Sequence, residues 1–126
     1  VDVVLGKLAP YFSEIFREKN KLLIRAMAKT IASSMGDESK MQGTKWQRNS
    51  MRGINTTKMI SKRTGPTLIM HGDSDLIIPV AEAQRMNQVI SGSEILTYTD
   101  TGHLLIAERA AQFYSDAEKF IKRNLR

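Results

Sequence analysis

Hydrophobic residues recur at helical spacing in the first half of the chain and form short continuous runs in the second half. Residues 21–34 carry apolar side chains three or four positions apart, which predicts a helix with Asn20 as its N-cap. The same pattern predicts a first helix over residues 8–17, a third over about residues 38–52, and a short helix that ends at Arg63. The first half is therefore predicted to be helical.

Two apolar runs in the second half predict buried β-strands, and each is followed by a helical pattern. The predicted strands and helices are, in order, residues 67–71, 79–90, 94–99 and 106–124. Two strands joined through a helix favour parallel pairing, so this half is predicted to be a β-α-β-α unit of the α/β class. The chain is expected to divide into a helical segment, 1–63, and an α/β segment, 64–126.

Acidic residues and a histidine follow the two predicted strands. Asp73 and Asp75 lie in the turn after the first strand, and His103 lies in the turn after the second. The carboxyl ends of neighbouring parallel strands meet at one edge of a sheet, where open α/β folds place their chemistry. Each aspartate taken alone also fits a simple turn cap. His71 is interpreted as a structural residue packed at the end of the strand.

This pattern resembles the C-terminal part of the α/β-hydrolase family. There, a core strand ends in a His-Gly motif that leads to an acid and a proline, and the last strand ends in Gly-His. An acid often follows the family histidine by five residues. The matching residues are His71, Gly72, Asp75, Pro79, Gly102, His103 and Glu108. The resemblance covers residues 64–126, about half of the chain.

The resemblance implies roles for two of these residues. Family members place their catalytic groups in the order nucleophile, acid and histidine, which implies Asp75 as the acid and His103 as the histidine, with Asp73 as the alternative acid. Asp75 would hold the ring of His103 in one tautomer, and His103 would act as general base and then as general acid. The implied fold is a partial α/β-hydrolase fold. The implied parent enzyme is a serine hydrolase that cleaves a carboxylic ester.

The resemblance also implies that residues 1–63 form the helical cap, or lid, over the catalytic face. The implied substrate is a small apolar ester-like molecule, and no cofactor is implied. Several apolar cap residues are candidates to line the substrate pocket, although packing between helices explains any single one of them better. These candidates are Phe12, Phe16, Met27, Met41, Trp46 and Met51.

The sequence has no G-x-S-x-G motif, which the family uses to place its nucleophile on a strand-to-helix turn. The nearest match surrounds Ser34, but the preceding residues have helical spacing, and only 41 residues separate Ser34 from Asp75. Ser34 is better explained as part of a helix C-terminus with Gly36 in the left-handed conformation. We therefore expect the nucleophile to lie in an N-terminal half missing from this chain, and the chain alone to be inactive.

Composition excludes several other classes. Of the 126 residues, 41% are hydrophobic and 25% are charged, which is ordinary for a globular domain. There is no apolar run of about 18 residues, so no membrane span is expected. The absence of cysteine excludes disulfides and fits a cytoplasmic location. Two histidines, 32 positions apart, give no metal-ligand spacing, so no metal site is expected.

The positive charge is concentrated in the first half. Residues 1–63 hold 13 Lys and Arg against 5 Asp and Glu, a net charge of +8, whereas residues 64–126 have a net charge of −2. The basic residues from Lys19 to Arg63 are scattered and Trp46 is the only aromatic residue among them, so a solvated surface is favoured over a nucleic-acid site. The alternative function is a non-catalytic interaction or dimerisation module with a basic face for an anionic partner.

The first predicted strand is expected to have one free edge. In the family fold, a core strand from the missing N-terminal half would pair with that edge. A hydrophobic free edge is a template for pairing with another chain. The expected partners are the missing half or a second copy in a homo-oligomer, and the remaining alternative is a covering helix from residues 1–63.

Overall fold

The computed structural model describes residues 1–35 and 38–125, without the side chains of residues 38–41. The elements in chain order are α1 (Asp2–Leu8), α2 (Glu14–Lys19), α3 (Lys21–Ser33), α4 (Glu38–Ser50), α5 (Thr56–Ile60), β1 (Leu68–Gly72), α6 (Val80–Val89), β2 (Glu94–Tyr98), α7 (Leu105–Glu108) and α8 (Ala110–Asn124). A short 3₁₀ helix, Ala9–Tyr11, separates α1 from α2.

β1 and β2 form a parallel pair, connected through α6. The register sets Leu68 opposite Glu94 and Gly72 opposite Tyr98, so the two strands end side by side. One core cluster joins α6 to this sheet through Ile69, Ala83 and Ile90. The predicted β-α-β-α order with parallel strands is confirmed, and both turns that were predicted to carry polar residues lie at the same edge of the sheet.

The beginning of the chain differs from its prediction. A single helix over residues 8–17 is wrong, because Pro10 lies in the 3₁₀ helix and Phe12 is extended (φ −119°, ψ 148°). Ser13 then caps α2, since its hydroxyl oxygen accepts a hydrogen bond from Phe16 N at 3.2 Å. Phe12 is buried and stacks on Phe16, with ring centroids 5.3 Å apart.

The other helical predictions hold with small changes. α3 matches its predicted range, but the Asn20 side chain donates to Phe16 O instead of capping α3. α4 begins as predicted, and every residue from 42 to 59 is exposed. None of the helices within residues 1–35 and 38–125 combines the length and apolar character that a membrane span requires.

The last predicted helix is divided at Arg109 into α7 and α8. Arg109 leaves helical geometry (φ −131°, ψ 37°) because its guanidinium donates to Thr99 O at 3.0 Å and to Thr101 Oγ1 at 3.1 Å. α8 is held to β2 by a hydrogen bond from the buried Tyr98 hydroxyl to Asp116 Oδ2 at 2.9 Å. The break leaves α7 as a separate short helix immediately after the loop that carries His103, residues 99–104, here called the histidine loop.

Candidate active site

The turns that follow β1 and β2 are bound to each other through their backbones. Asp73 N donates to Tyr98 O and Ser74 N donates to Thr101 O, both at 3.0 Å. Gly72 lies where these turns cross, and a Cβ there would overlap Thr101 O. This position accepts only glycine without movement of the backbone, because the two chains approach too closely for a side chain.

Asp75 contacts His103 across these turns. The Oδ2 atom of Asp75 lies 2.8 Å from Nδ1 of His103. The Oδ1 atom accepts hydrogen bonds from Ile77 N at 2.8 Å and Ile78 N at 2.9 Å, which fixes the carboxylate within its own turn. Because an ionised carboxylate only accepts, Nδ1 of His103 carries the proton and Nε2 of the neutral ring has a free lone pair.

The environment of Asp75 favours its ionised form. The residue is 8% exposed, and burial alone would raise the pKa of its carboxyl. Hydrogen bonds from Ile78 N, from His103 and from Ile77 N, together with the electrostatic attraction of the His103 ring, outweigh burial and hold the pKa of Asp75 below its usual range. The carboxylate is therefore charged at neutral pH.

Within the described residues, Asp73 makes no comparable contact. Its side chain is exposed, and its Oδ1 accepts a hydrogen bond from the neighbouring Ser74 hydroxyl at 2.9 Å. Of the two aspartates considered in the sequence, the structure brings only Asp75 to His103.

His71 lies closer to the site than a packing role predicts. Its Nε2 is 3.5 Å from Asp75 Oδ2, so one carboxylate oxygen faces two imidazole rings. Its Nδ1 donates to Gly72 O at 2.8 Å, since a carbonyl oxygen only accepts. The four-residue spacing across the turn between His71 and Asp75 is the signal that could have indicated this contact.

The start of the helical segment covers the histidine loop. Tyr11 O accepts from Leu104 N at 3.0 Å, and the Tyr11 ring meets the His103 ring edge to face at a centroid distance of 5.6 Å. Ser13 is bound to Glu108 through both its backbone N–H and its hydroxyl. No sequence signal predicted the contacts of Tyr11 and Ser13, because about 90 residues separate them from their partners.

Ser34 has the surroundings of a helix end. Its hydroxyl donates to Ile31 O at 2.9 Å in the last turn of α3. A nucleophile elbow requires a strand before the serine, and the segment before Ser34 is helical. The expected left-handed conformation of Gly36 lies outside the described residues.

A cleft of about 470 Å³ lies between α2 and the turns that follow the strands. Its walls include Phe12 and Arg17 on one side and Ser74, Leu76 and Asp100 on the other, and neither Asp75 nor His103 is among its lining residues. Of the other pocket candidates, Trp46 and Met51 are exposed, and the Met41 side chain lies outside the described part of the chain. No group of three or more potential metal ligands is brought together among the residues that the structure describes.

Comparison with known proteins gives the fold. No family model matches the chain. The chain is similar to an esterase from Exiguobacterium antarcticum (TM-score 0.73, 21% identity, 96% of this chain and 42% of that chain). It is also similar to an enol-lactonase from Burkholderia xenovorans (TM-score 0.78, 19% identity, 96% of this chain and 44% of that chain). A bromoperoxidase from Bacillus anthracis matches 55% of this chain and 25% of its own length, with TM-score 0.53 and 30% identity.

These matched proteins are all α/β-hydrolases. The chain therefore has a partial α/β-hydrolase fold, as the resemblance of its second half predicts. It spans less than half the length of each of these three structures.

Proposed function

We propose that this chain is the C-terminal part of a serine α/β-hydrolase that cleaves a carboxylic ester, with Asp75 as the acid and His103 as the base. The observation that carries the proposal is the 2.8 Å contact between Asp75 Oδ2 and His103 Nδ1. The second carboxylate oxygen is held by Ile77 N and Ile78 N, so the carboxylate cannot turn away from the ring without losing two hydrogen bonds.

The geometry supports a specific division of roles. Asp75 keeps the proton of the neutral ring on Nδ1, which leaves Nε2 of His103 to remove the proton from a serine hydroxyl as it attacks the ester carbonyl. Asp75 stabilises the resulting imidazolium without taking its proton. Nε2 then gives that proton to the departing alcohol, and a water molecule, activated by the same nitrogen, hydrolyses the acyl-enzyme.

The nucleophile in this proposal lies outside the chain. Ser34 is held at a helix end by its hydrogen bond to Ile31 O, and it lacks the preceding strand of a nucleophile elbow. The chain spans only 42% of the esterase and 44% of the enol-lactonase that it resembles. The remaining part of the parent enzyme would supply the serine and the oxyanion hole, so this chain alone is expected to be inactive.

Residues 1–63 are proposed to be the cap over this site. Tyr11 contacts the His103 ring, and Phe12 lines the cleft of about 470 Å³ between α2 and the turns that follow the strands. Leu76 lines the same cleft from the α/β segment. The names of the two matched enzymes, an esterase and an enol-lactonase, both indicate ester bonds. A small ester with an apolar acyl group is therefore the proposed substrate.

The free edge of β1 is proposed to pair with a strand from the remaining part of the hydrolase. Within the described residues β1 has β2 as its only strand partner. Near its end, the side chains of Leu76, Ile77 and Ile78 are exposed. We expect light scattering to show a 1:1 complex when the two parts are expressed separately and mixed. A homodimer of this chain that does not bind the other part would contradict this pairing.

The experiment that tests the function uses the longer protein and its variants. We expect the longer protein to hydrolyse p-nitrophenyl butyrate, and His103→Gln to lower the rate by about 10⁴-fold or more. Ser34→Ala is the matched control, and it should keep the full rate. This chain alone should not exceed the rate given by free imidazole. Absence of ester hydrolysis by the longer protein would favour the non-catalytic interaction module instead.

A further inference from the structure

The Glu108 carboxylate joins two parts of the chain that are far apart in sequence. Its Oε1 accepts hydrogen bonds from Ser13 N at 2.8 Å and from Gly102 N at 3.2 Å. Its Oε2 accepts from the Ser13 hydroxyl at 2.6 Å. All three donors are neutral, and both oxygens are used as acceptors, which suits an ionised carboxylate.

These bonds fix the backbone next to His103. Gly102 N is held by Glu108, and Leu104 N on the other side of His103 is held by Tyr11 O at 3.0 Å. A Cβ at Gly102 would lie only 2.6 Å from Ser13 N, so the loop and the start of α2 are in direct backbone contact. The backbone next to His103 is therefore held by Glu108 on one side and by Tyr11 on the other.

We infer that Glu108 is a positioning residue for His103. By holding Gly102 and Ser13 together, it keeps the loop at the depth where His103 Nδ1 reaches Asp75. It also connects the proposed cap to the proposed base, so a displacement of the start of α2 moves the His103 ring. The role in catalysis rests on the proposed hydrolase function, whereas the effect on the ring does not.

The substitution Glu108→Gln would remove part of this set of hydrogen bonds. An amide has one acceptor oxygen and one NH₂ donor group. If its oxygen keeps the bonds from Ser13 N and Gly102 N, its NH₂ group faces the Ser13 hydroxyl, which must reverse its role. That hydroxyl already accepts from Phe16 N and has a second lone pair for the amide, but its own O–H proton then loses its acceptor on residue 108.

The ring of His103 reports the effect directly in ¹⁵N-labelled chain. Long-range ¹H–¹⁵N spectra of the two histidines should show His103 with its proton on Nδ1 and a low-field signal from the hydrogen bond to Asp75. In Glu108→Gln we expect this signal to be lost and the ring to move toward the tautomer mixture of free histidine. Glu118→Gln is the matched control, because it removes the same charge from an exposed pair with Lys122.

An unchanged His103 signal in a folded Glu108→Gln variant would overturn the inference. If that variant does not fold, Ser13→Ala decides, since it removes the hydroxyl donor to Oε2, together with the cap on Phe16 N, and leaves both bonds to Oε1 in place. It should shift the His103 ring signals part of the way, and no shift would overturn the inference.

Kinetics separate this inference from the proposed function. In the longer protein, Glu108→Gln should lower kcat by about tenfold or more with little change in KM, as expected when a catalytic group is misplaced. An inactive wild-type protein would refute the hydrolase function and leave the ring result standing. Wild-type kcat in Glu108→Gln would contradict the positioning role.

Discussion

Asp75 binds His103 with one carboxylate oxygen and its own turn with the other. The Oδ2 atom lies 2.8 Å from His103 Nδ1, while Oδ1 receives two backbone N–H groups. The carboxylate is therefore oriented by its own turn, and the carboxylate orients the His103 ring. This relationship connects the stability of the two turns to the ionisation of one buried group.

The first prediction concerns stability in acid. The folded-state pKa of Asp75 is below its ordinary value of 3.8, so its contribution to the free energy of unfolding is complete above that pH. The contribution is lost as pH falls through the folded-state pKa. Urea unfolding of wild type and Asp75→Asn should give a stability difference that narrows below about pH 4. A difference that stays constant down to about pH 2 would contradict this prediction.

The second prediction concerns Tyr98 in alkali. Burial and the hydrogen bond to Asp116 raise the pKa of Tyr98 from 10.0 to about 12. Because the folded state keeps this proton longer than the unfolded state, stability should fall as pH rises from about 10 toward 12. Tyrosinate absorbance should show one of the three tyrosines titrating late. Tyr98→Phe should remove that late phase and cost about 1 kcal/mol at neutral pH; loss of an early phase instead would count against the assignment.

The third prediction concerns the close contact at Gly72. Ala at this position would place a Cβ against Thr101 O and 2.6 Å from Gly102 O, so the two turns must move apart. We expect Gly72→Ala to lower the free energy of unfolding by about 1–3 kcal/mol and to weaken the His103 contact. Gly43→Ala is the control, since its Cβ meets nothing within 4 Å in helix α4 and should be neutral or stabilising. Equal unfolding midpoints for the two variants would contradict the contact.

The sequence was sufficient to predict the structure where the signals were local. Period and flanking residues predicted α3, α6 and the parallel strands to within a few residues. They also placed Asp75 and His103 at adjacent strand ends, because the positions of these turns along the sheet edge follow from the order of the strands. The choice of Asp75 over Asp73 required the motif resemblance, and the contact of Asp75 with His103 agrees with that choice.

The sequence failed where long-range contacts decide the local structure. Arg109 divides the last helix because Thr99 and Thr101 accept its guanidinium, and no Gly or Pro marks the break. Ser13 lies within a run of apolar residues that reads as helix, but it caps a new helix and binds Glu108, 95 positions away. Local patterns carry no information about pairs of residues that are distant in sequence, so the contacts of Tyr11 and Ser13 with the histidine loop could not be predicted.

We propose that Asp75, and not Asp73, is the acid that orients His103 for catalysis. The most direct test is kcat of the longer protein with a p-nitrophenyl ester for two matched variants. Asp75→Asn should lower kcat by about 10⁴-fold, because the ring loses its preferred tautomer. Asp73→Asn changes an exposed side chain that accepts from the Ser74 hydroxyl, and it should change kcat by no more than about twofold. Equal losses in the two variants, or a larger loss in Asp73→Asn, would contradict the assignment.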